Sequence, residues 1–81
     1  MKYLAIIRGV RFGVNDRGEV GLSFGTYVSE GVGAPQFLHL RWAEEVIAKY
    51  GVGDVARLEG KPCWVRVSGA GECVFECPCL I

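Results

Sequence analysis

Only one stretch of this chain repeats its apolar residues at helical spacing; nearly everything else alternates or turns. Leu40, Ala43, Val46, Ile47 and Tyr50 fall at i, i+3, i+6, i+7 and i+10. That spacing predicts a helix over residues 40–50 with one apolar face. Arg41, Glu44, Glu45 and Lys49 take the rest, Glu45 and Lys49 forming a favourable i,i+4 pair. Gly51 is suited to end the helix in a left-handed conformation. A single amphipathic helix must bury its stripe against another layer, and the alternating segments supply a sheet.

Residues 2–12 alternate: Leu4, Ile6, Val10 and Phe12 share one parity, and Tyr3, Ala5, Ile7, Gly9 and Arg11 the other. Asn15-Asp16-Arg17-Gly18 reads as a turn, because Asn, Asp and Gly tolerate its dihedrals. Residues 19–28 are the clearest strand, with Val20, Leu22, Phe24 and Val28 opposed to Gly21, Ser23, Gly25 and Tyr27. Together these predict a hairpin. Residues 29–39, with glycines and a proline, read as a long loop. Asp54 is placed to cap a short helical turn that tucks Val55 and Leu58 under the sheet, and Gly60 ends it. Residues 62–68 and 72–79 predict two further strands around a Gly69-Ala70-Gly71 turn, with Pro78 at a strand end or sheet edge. The expected architecture is one α+β domain over residues 1–81: about four antiparallel strands in the order β-β-α-β-β, with the helix packed on one face. Val20, Leu22 and Phe24 should face the helix with Cys63, Val65, Val67, Cys73, Phe75 and Cys77.

Charge and size narrow the function classes. The chain carries 9 basic and 9 acidic residues among 81, with 51% hydrophobic residues. The apolar content argues against disorder. Zero net charge argues against bulk attraction to nucleic acid or an anionic membrane. No apolar run approaches bilayer-spanning length. Residues Tyr3–Ile7 are too short for a signal-peptide core, and Arg8 and Arg11 interrupt them, so a first strand and a cytoplasmic location are expected. A domain this small buries only about 60% of its unfolded surface. It gains from a metal, a disulfide, an oligomer or a partner.

The four cysteines are Cys63, Cys73, Cys77 and Cys79. Cys73 and Cys77 share a strand parity but would stand roughly 13 Å apart, too far for one metal ion unless the strand breaks at Pro78. Cys63 and Cys73 therefore read as small core residues. A cross-strand bond from Cys63 to Cys73 or Cys77 is geometrically open, and a reducing compartment disfavours it. His39 is the single histidine, with no carboxylate close in sequence before Glu44. Glu44 and Glu45 diverge on the helix. Gly31-Val32-Gly33 lacks the strand-to-helix setting of a dinucleotide fingerprint. We therefore expect no enzyme, no cofactor and no metal.

Binding features are more evident. Gly21, Ser23 and Gly25 leave one face of a strand nearly bare, which marks either the close approach of a ligand or an aromatic neighbour (Tyr3, Tyr27 or Trp64) lying over the gap. Lys2, Arg8, Arg11 and Arg17 make the N-terminal region basic, and Glu72 and Glu76 make the last strand acidic. These charges either complement each other across the sheet or form a polar recognition face. Of Tyr27, Phe37, Trp42 and Trp64, one or two should be core, yet Phe37, Trp42 and Trp64 stand off the expected core pattern, and aromatics and arginine dominate binding hot spots. The candidate partner-binding set is Tyr27, Phe37, Trp42, Trp64, Arg8 and Arg11.

The hairpin, the Gly31–Phe37 segment, the helix and the Val52–Cys63 connection together resemble a group of small phage and prophage proteins. Leu58-Glu59-Gly60-Lys61-Pro62 is the distinctive part. The chain departs from that pattern at Gln36-Phe37-Leu38-His39, where repeated glycines are usual. The resemblance implies a phage accessory protein, and by analogy an anti-CRISPR-type inhibitor that binds a host protein or ribonucleoprotein complex and occludes a working surface. The alternatives are a small-ligand or nucleotide-signal binder, using the glycine-bare face and residues 29–39, and a metal-stabilised structural module of a phage particle. An unpaired sheet edge would also permit a homodimer.

Overall fold

A computed structural model of the chain describes residues 1–29 and 31–80. The elements are β1 (Lys2–Val14), β2 (Val20–Ser29), β3 (Val32–His39), α1 (Leu40–Tyr50), a 3₁₀ turn (Val55–Leu58), β4 (Pro62–Val67) and β5 (Cys73–Pro78). One sheet holds all five strands in the order β3-β2-β1-β4-β5, every neighbouring pair antiparallel. The α+β architecture with one packed helix is as the sequence predicts, with one strand more. Among the described residues no helix is long and apolar enough to cross a membrane.

The additional strand is β3, where the sequence reads as a loop (its Glu30 lies outside the described residues). Gly31, at φ +78°, turns the chain back, and residues 32–39 pair along β2 from Ser29↔Val32 to Gly21↔His39. Proline is tolerated because β3 has a single ladder partner, so an N–H can be spared. Alternation persists beneath the turn-forming residues: Ala34, Gln36 and Leu38 lie inward, opposite Thr26, Phe24 and Leu22.

β1 is shared between the two halves of the sheet. Its first part pairs with β4 from Lys2↔Arg66 to Ile6↔Pro62, and its later part pairs with β2 from Ile6↔Tyr27 to Val14↔Val20. Between Arg8↔Gly25 and Arg11↔Ser23 it carries a bulge, with Gly9 at φ +66°. A bulge of this kind adds twist and breaks the alternation. Ala5 and Ile7 point inward before it; Val10 packs inward after it. The face expected from Leu4, Ile6, Val10 and Phe12 is therefore split, with Leu4 and Ile6 on the outer side. A second bulge, at Glu76, does the same to β5: Phe75 faces the core opposite Val65, but Cys77 pairs with Trp64 on the outer side. The expected inward Cys73–Phe75–Cys77 row thus ends at Phe75.

The segment Leu58–Pro62 holds the β1 bulge in place. Leu58 is fully buried. The Glu59 carboxylate accepts the exposed N–H groups of Gly9 (3.0 Å) and Val10 (3.1 Å), donors left without a ladder partner. Ile7 exchanges backbone bonds with the same segment: its N–H donates to Lys61 O at 2.9 Å, and its O accepts from Gly60 N at 2.8 Å.

The sheet curls until its two edges meet, giving a partly open five-stranded barrel. Gln36 spans the seam. Its Nε2 donates to Cys73 O (2.9 Å) and Thr26 Oγ1 (3.2 Å), and its Oε1 accepts from Phe75 N (3.1 Å). Thr26, a fully buried polar residue, passes its own hydroxyl to Ala34 O at 3.2 Å. Inside lie Leu22, Phe24, Leu38, Val65 and Phe75, with Phe24 edge-on to Phe75 at 5.5 Å. α1 lays Ala43 and Val46 on this core. Its stop is as expected, Gly51 at φ 69° donating to Ile47 O and Ala48 O. Tyr50 reaches from the last turn to donate to Pro62 O at 2.5 Å, and burial holds its hydroxyl above the ordinary range. Asp54 caps the 3₁₀ turn by accepting from Ala56 N.

Two outcomes follow. Gln36→Ala leaves a part-buried N–H and C=O of β5 unpaired and should cost about 1–3 kcal/mol in urea unfolding, with faster amide exchange at Phe75; unchanged exchange there would show that the seam does not depend on this side chain. The two backbone N–H bonds hold the Glu59 carboxyl below its ordinary value of 4.5. A lowered folded value stabilises the fold above the ordinary value and loses that contribution as pH falls through the lowered one. The gap in urea midpoint between the parent and Glu59→Gln should therefore be full at neutral pH and close in acid. A gap that is constant with pH would contradict this.

Candidate binding face

The helix and the 3₁₀ turn pack on the inner side of the sheet, so the β1–β2–β3 outer side carries no covering element among the described residues. The register fixes its composition. Gly21, Ser23, Gly25 and Tyr27 of β2 lie across from His39, Phe37, Pro35 and Gly33 of β3, and on the other side from Gly13, Arg11, Arg8 and Ile6 of β1. Of the six residues singled out in the sequence, Arg8, Arg11, Tyr27 and Phe37 thus come together. Trp64 sits on the same side of the sheet but farther along, on β4. Trp42 does not join them. It projects from α1 and packs edge-on against the core ring of Phe75 at 5.9 Å, so its apolar body is used at the helix–sheet seam although it is 42% exposed.

The bare strand face is covered by rings. The Tyr27 side chain lies across Gly25 and Gly33: a Cβ at Gly25 would fall 2.9 Å from Tyr27 Cε1, and one at Gly33 would fall 2.5 Å from Cδ2. Phe37 likewise occupies the space beside Gly21, where a Cβ would meet its Cζ at 2.7 Å and Leu38 O at 2.1 Å. Of the three aromatics the sequence offered for the gap, Tyr27 fills it. Trp64 lies on another strand, and Tyr3 pairs with Val65 and places its hydroxyl 2.9 Å from Met1 Sδ. Glycine here lets a ring lie down on the sheet instead of standing upright. Gly33 is the seat that sequence reasoning missed, because its partnership with Tyr27 exists only through the β2–β3 register.

The charges divide into two groups. Lys2 and Arg66 converge on Glu76, Lys2 at 3.6 Å and Arg66 through a direct hydrogen-bonded pair, and Lys2 Nζ also stands 5.3 Å from the Trp64 ring centroid. The Arg66 hydrogen bond is the chief cause holding the Glu76 carboxyl below its usual range. Here the basic and acidic strands complement each other across the sheet. Arg8 and Arg11 are different: neither forms an ion pair with a described residue, though Arg8 lies near enough to Glu59 to help lower that carboxyl. Arg8, with Tyr27 and Gly31, lines both of two adjoining shallow grooves of about 590 and 550 Å³, and Arg11, with Ser23 and Gly25, lines the second. His39 faces Glu19 at 3.5 Å and stacks edge-on with Phe37.

All four cysteines are free thiols. Cys63 and Cys79 are buried, and burial, with the neighbouring thiols adding to it, pushes Cys63 up to about 12. No group of three His, Cys, Asp or Glu side chains is placed to share a metal ion among the described residues. A thiol that stays protonated at neutral pH is a poor nucleophile. Alkylation of the native protein followed by peptide mapping should therefore modify Cys73 and Cys77 and spare Cys63 and Cys79 until denaturant is added. Rapid native labelling of Cys63 would contradict its burial.

Compared with protein-family models, with curated proteins and with solved structures, the chain matches none.

Proposed function

We propose that the chain is a small non-enzymatic binding protein of the phage-accessory kind, which lays its β1–β2–β3 face on a host complex and occludes a working surface. Its sharpest form is an inhibitor of an RNA-guided, CRISPR-type defence complex. The observation that carries this reading is an uncovered sheet face on which Arg8, Arg11, Tyr27 and Phe37 converge. Arginine and aromatic side chains contribute most per residue to macromolecular interfaces, the first through several directed donors and the second through rigid apolar area. The distinctive Leu58–Pro62 segment is occupied in bracing β1. The resemblance to phage proteins rests on that segment, and the face is judged by its own chemistry.

Arg8→Ala/Arg11→Ala, with its fold checked by circular dichroism, should reduce inhibition in a reconstituted CRISPR interference assay by about 10- to 30-fold, the loss of an interface hot spot. Trp42→Ala serves as a control outside the face. Full inhibition by the folded double variant would remove this face as the working surface.

A further inference from the structure

We infer that the Arg8–Tyr27 part of this face recognises single-stranded nucleic acid, with an unpaired base stacked on Tyr27 and adjacent phosphates held by Arg8 and Arg11. The inference rests on the proposed use of the face and names the chemistry it recognises.

The first support is how Tyr27 is held. Its ring is seated on two glycines in two strands, and 44% of the residue stays exposed. A ring laid down on a sheet offers its outer π-face to solvent. That is the geometry of a stacking platform, and any base can use it because every base has a π-face. At Gly33 the Thr26 carbonyl, 2.8 Å from where a Cβ would stand, also keeps the position bare. Phe37 lies against one glycine, Gly21, roughly 13 Å farther along β3, where the Leu38 carbonyl also excludes a side chain.

The second support is charge. Arg8 lies directly across from Gly25, one of the two seats, and Arg11 is opposite Ser23, next along the strand. Their guanidinium groups flank the platform with no ion-pair partner among the described residues. On the outer side Glu76 is engaged by Lys2 and Arg66, Glu19 faces His39, and Glu59, whose carboxylate takes the Gly9 and Val10 N–H groups, lies near Arg8. Within a chain of net charge +0, Arg8 and Arg11 thus make a local basic patch beside the Tyr27 ring. Planar guanidinium suits phosphate, which it binds through paired donors. A duplex is a poor match, because it offers no unstacked base and the shallow face has no helix or ribbon to enter a groove. An acidic peptide would satisfy the arginines but leave the flat ring beside Arg8 unstacked.

The test is fluorescence anisotropy with short labelled RNA and DNA single strands of mixed sequence, the matching duplex, and labelled poly-glutamate. Single strands should bind best, with affinity falling as salt rises. Arg8→Ala/Arg11→Ala should flatten the log–log salt slope by about 1.4, the share of two phosphates. Tyr27→Ala should weaken binding by about tenfold or more without changing that slope, and Tyr27→Trp should retain it. Gly25→Ala, which keeps every polar group but lifts the ring, should resemble Tyr27→Ala. Absence of single-strand binding at low salt, equal binding of the duplex or of poly-glutamate, or an unaltered Tyr27→Ala each overturns the inference. If single strands are not bound while inhibition still depends on Arg8 and Arg11, this inference fails and the proposed use of the face stands. If inhibition is also indifferent to both arginines, the two fail together.

Discussion

Everything in this fold depends on one strand serving two halves of a sheet. β1 cannot pair with β4 at one end and β2 at the other, and still close a barrel, without a change of direction between them. The bulge at Gly9 supplies that change, and a bulge leaves backbone donors unpaired. Glu59 takes up both. A carboxylate bound to two N–H groups is a strong acceptor even at the surface, and the chain that carries it enters β4 immediately afterwards. The bend in β1 and the placement of β4 are thus one event. Gly60 and Lys61 extend the same contact by pairing with the C=O and the N–H of Ile7.

The seam between β3 and β5 is a different solution to the same closure. Two strand edges that approach without meeting would leave buried donors and acceptors exposed to one another with nothing between. The Gln36 amide carries one donor group and one acceptor in a fixed plane, and it fits the gap as a short piece of strand would. Thr26 completes the network, which leaves no described buried side-chain polar atom without a partner. The network is high in consequence because its members lie where water does not compete. The core beneath it is small and built on Phe24, Phe75, Leu22 and Leu38, so the polar seam and the apolar core together determine whether the barrel stays closed.

Closing the sheet around this core turns the other parity outward, which is how the candidate face arises. Among the described residues no helix covers it, since α1 is engaged on the inner side. Glycines that weaken β2 as a strand are also what lets Tyr27 and Phe37 lie close to it. The stability conceded by bare strand positions and the flatness gained at the surface have the same source.

The helix with its stop at Gly51, the Asp54-capped turn, the hairpin and the inward row Leu22–Phe24 with Val65 and Phe75 were legible in the sequence. Each follows from a local period or a local cap, which neighbouring residues determine among themselves. What tertiary structure decided was non-local. Residues 32–39 carry glycine and proline and look like a loop; pairing with β2 makes them a strand, because an edge can spare a proline's missing N–H. The bulges at Gly9 and Glu76 reversed the parity of half of β1 and the end of β5, since a single inserted residue exchanges inside for outside. The same holds for the site. Arginines and off-pattern aromatics could be named from the sequence. That Tyr27 would rest on Gly33, that Arg8 would flank it, and that Trp42 would instead close over Phe75 depended on registers between strands and on where the helix docked.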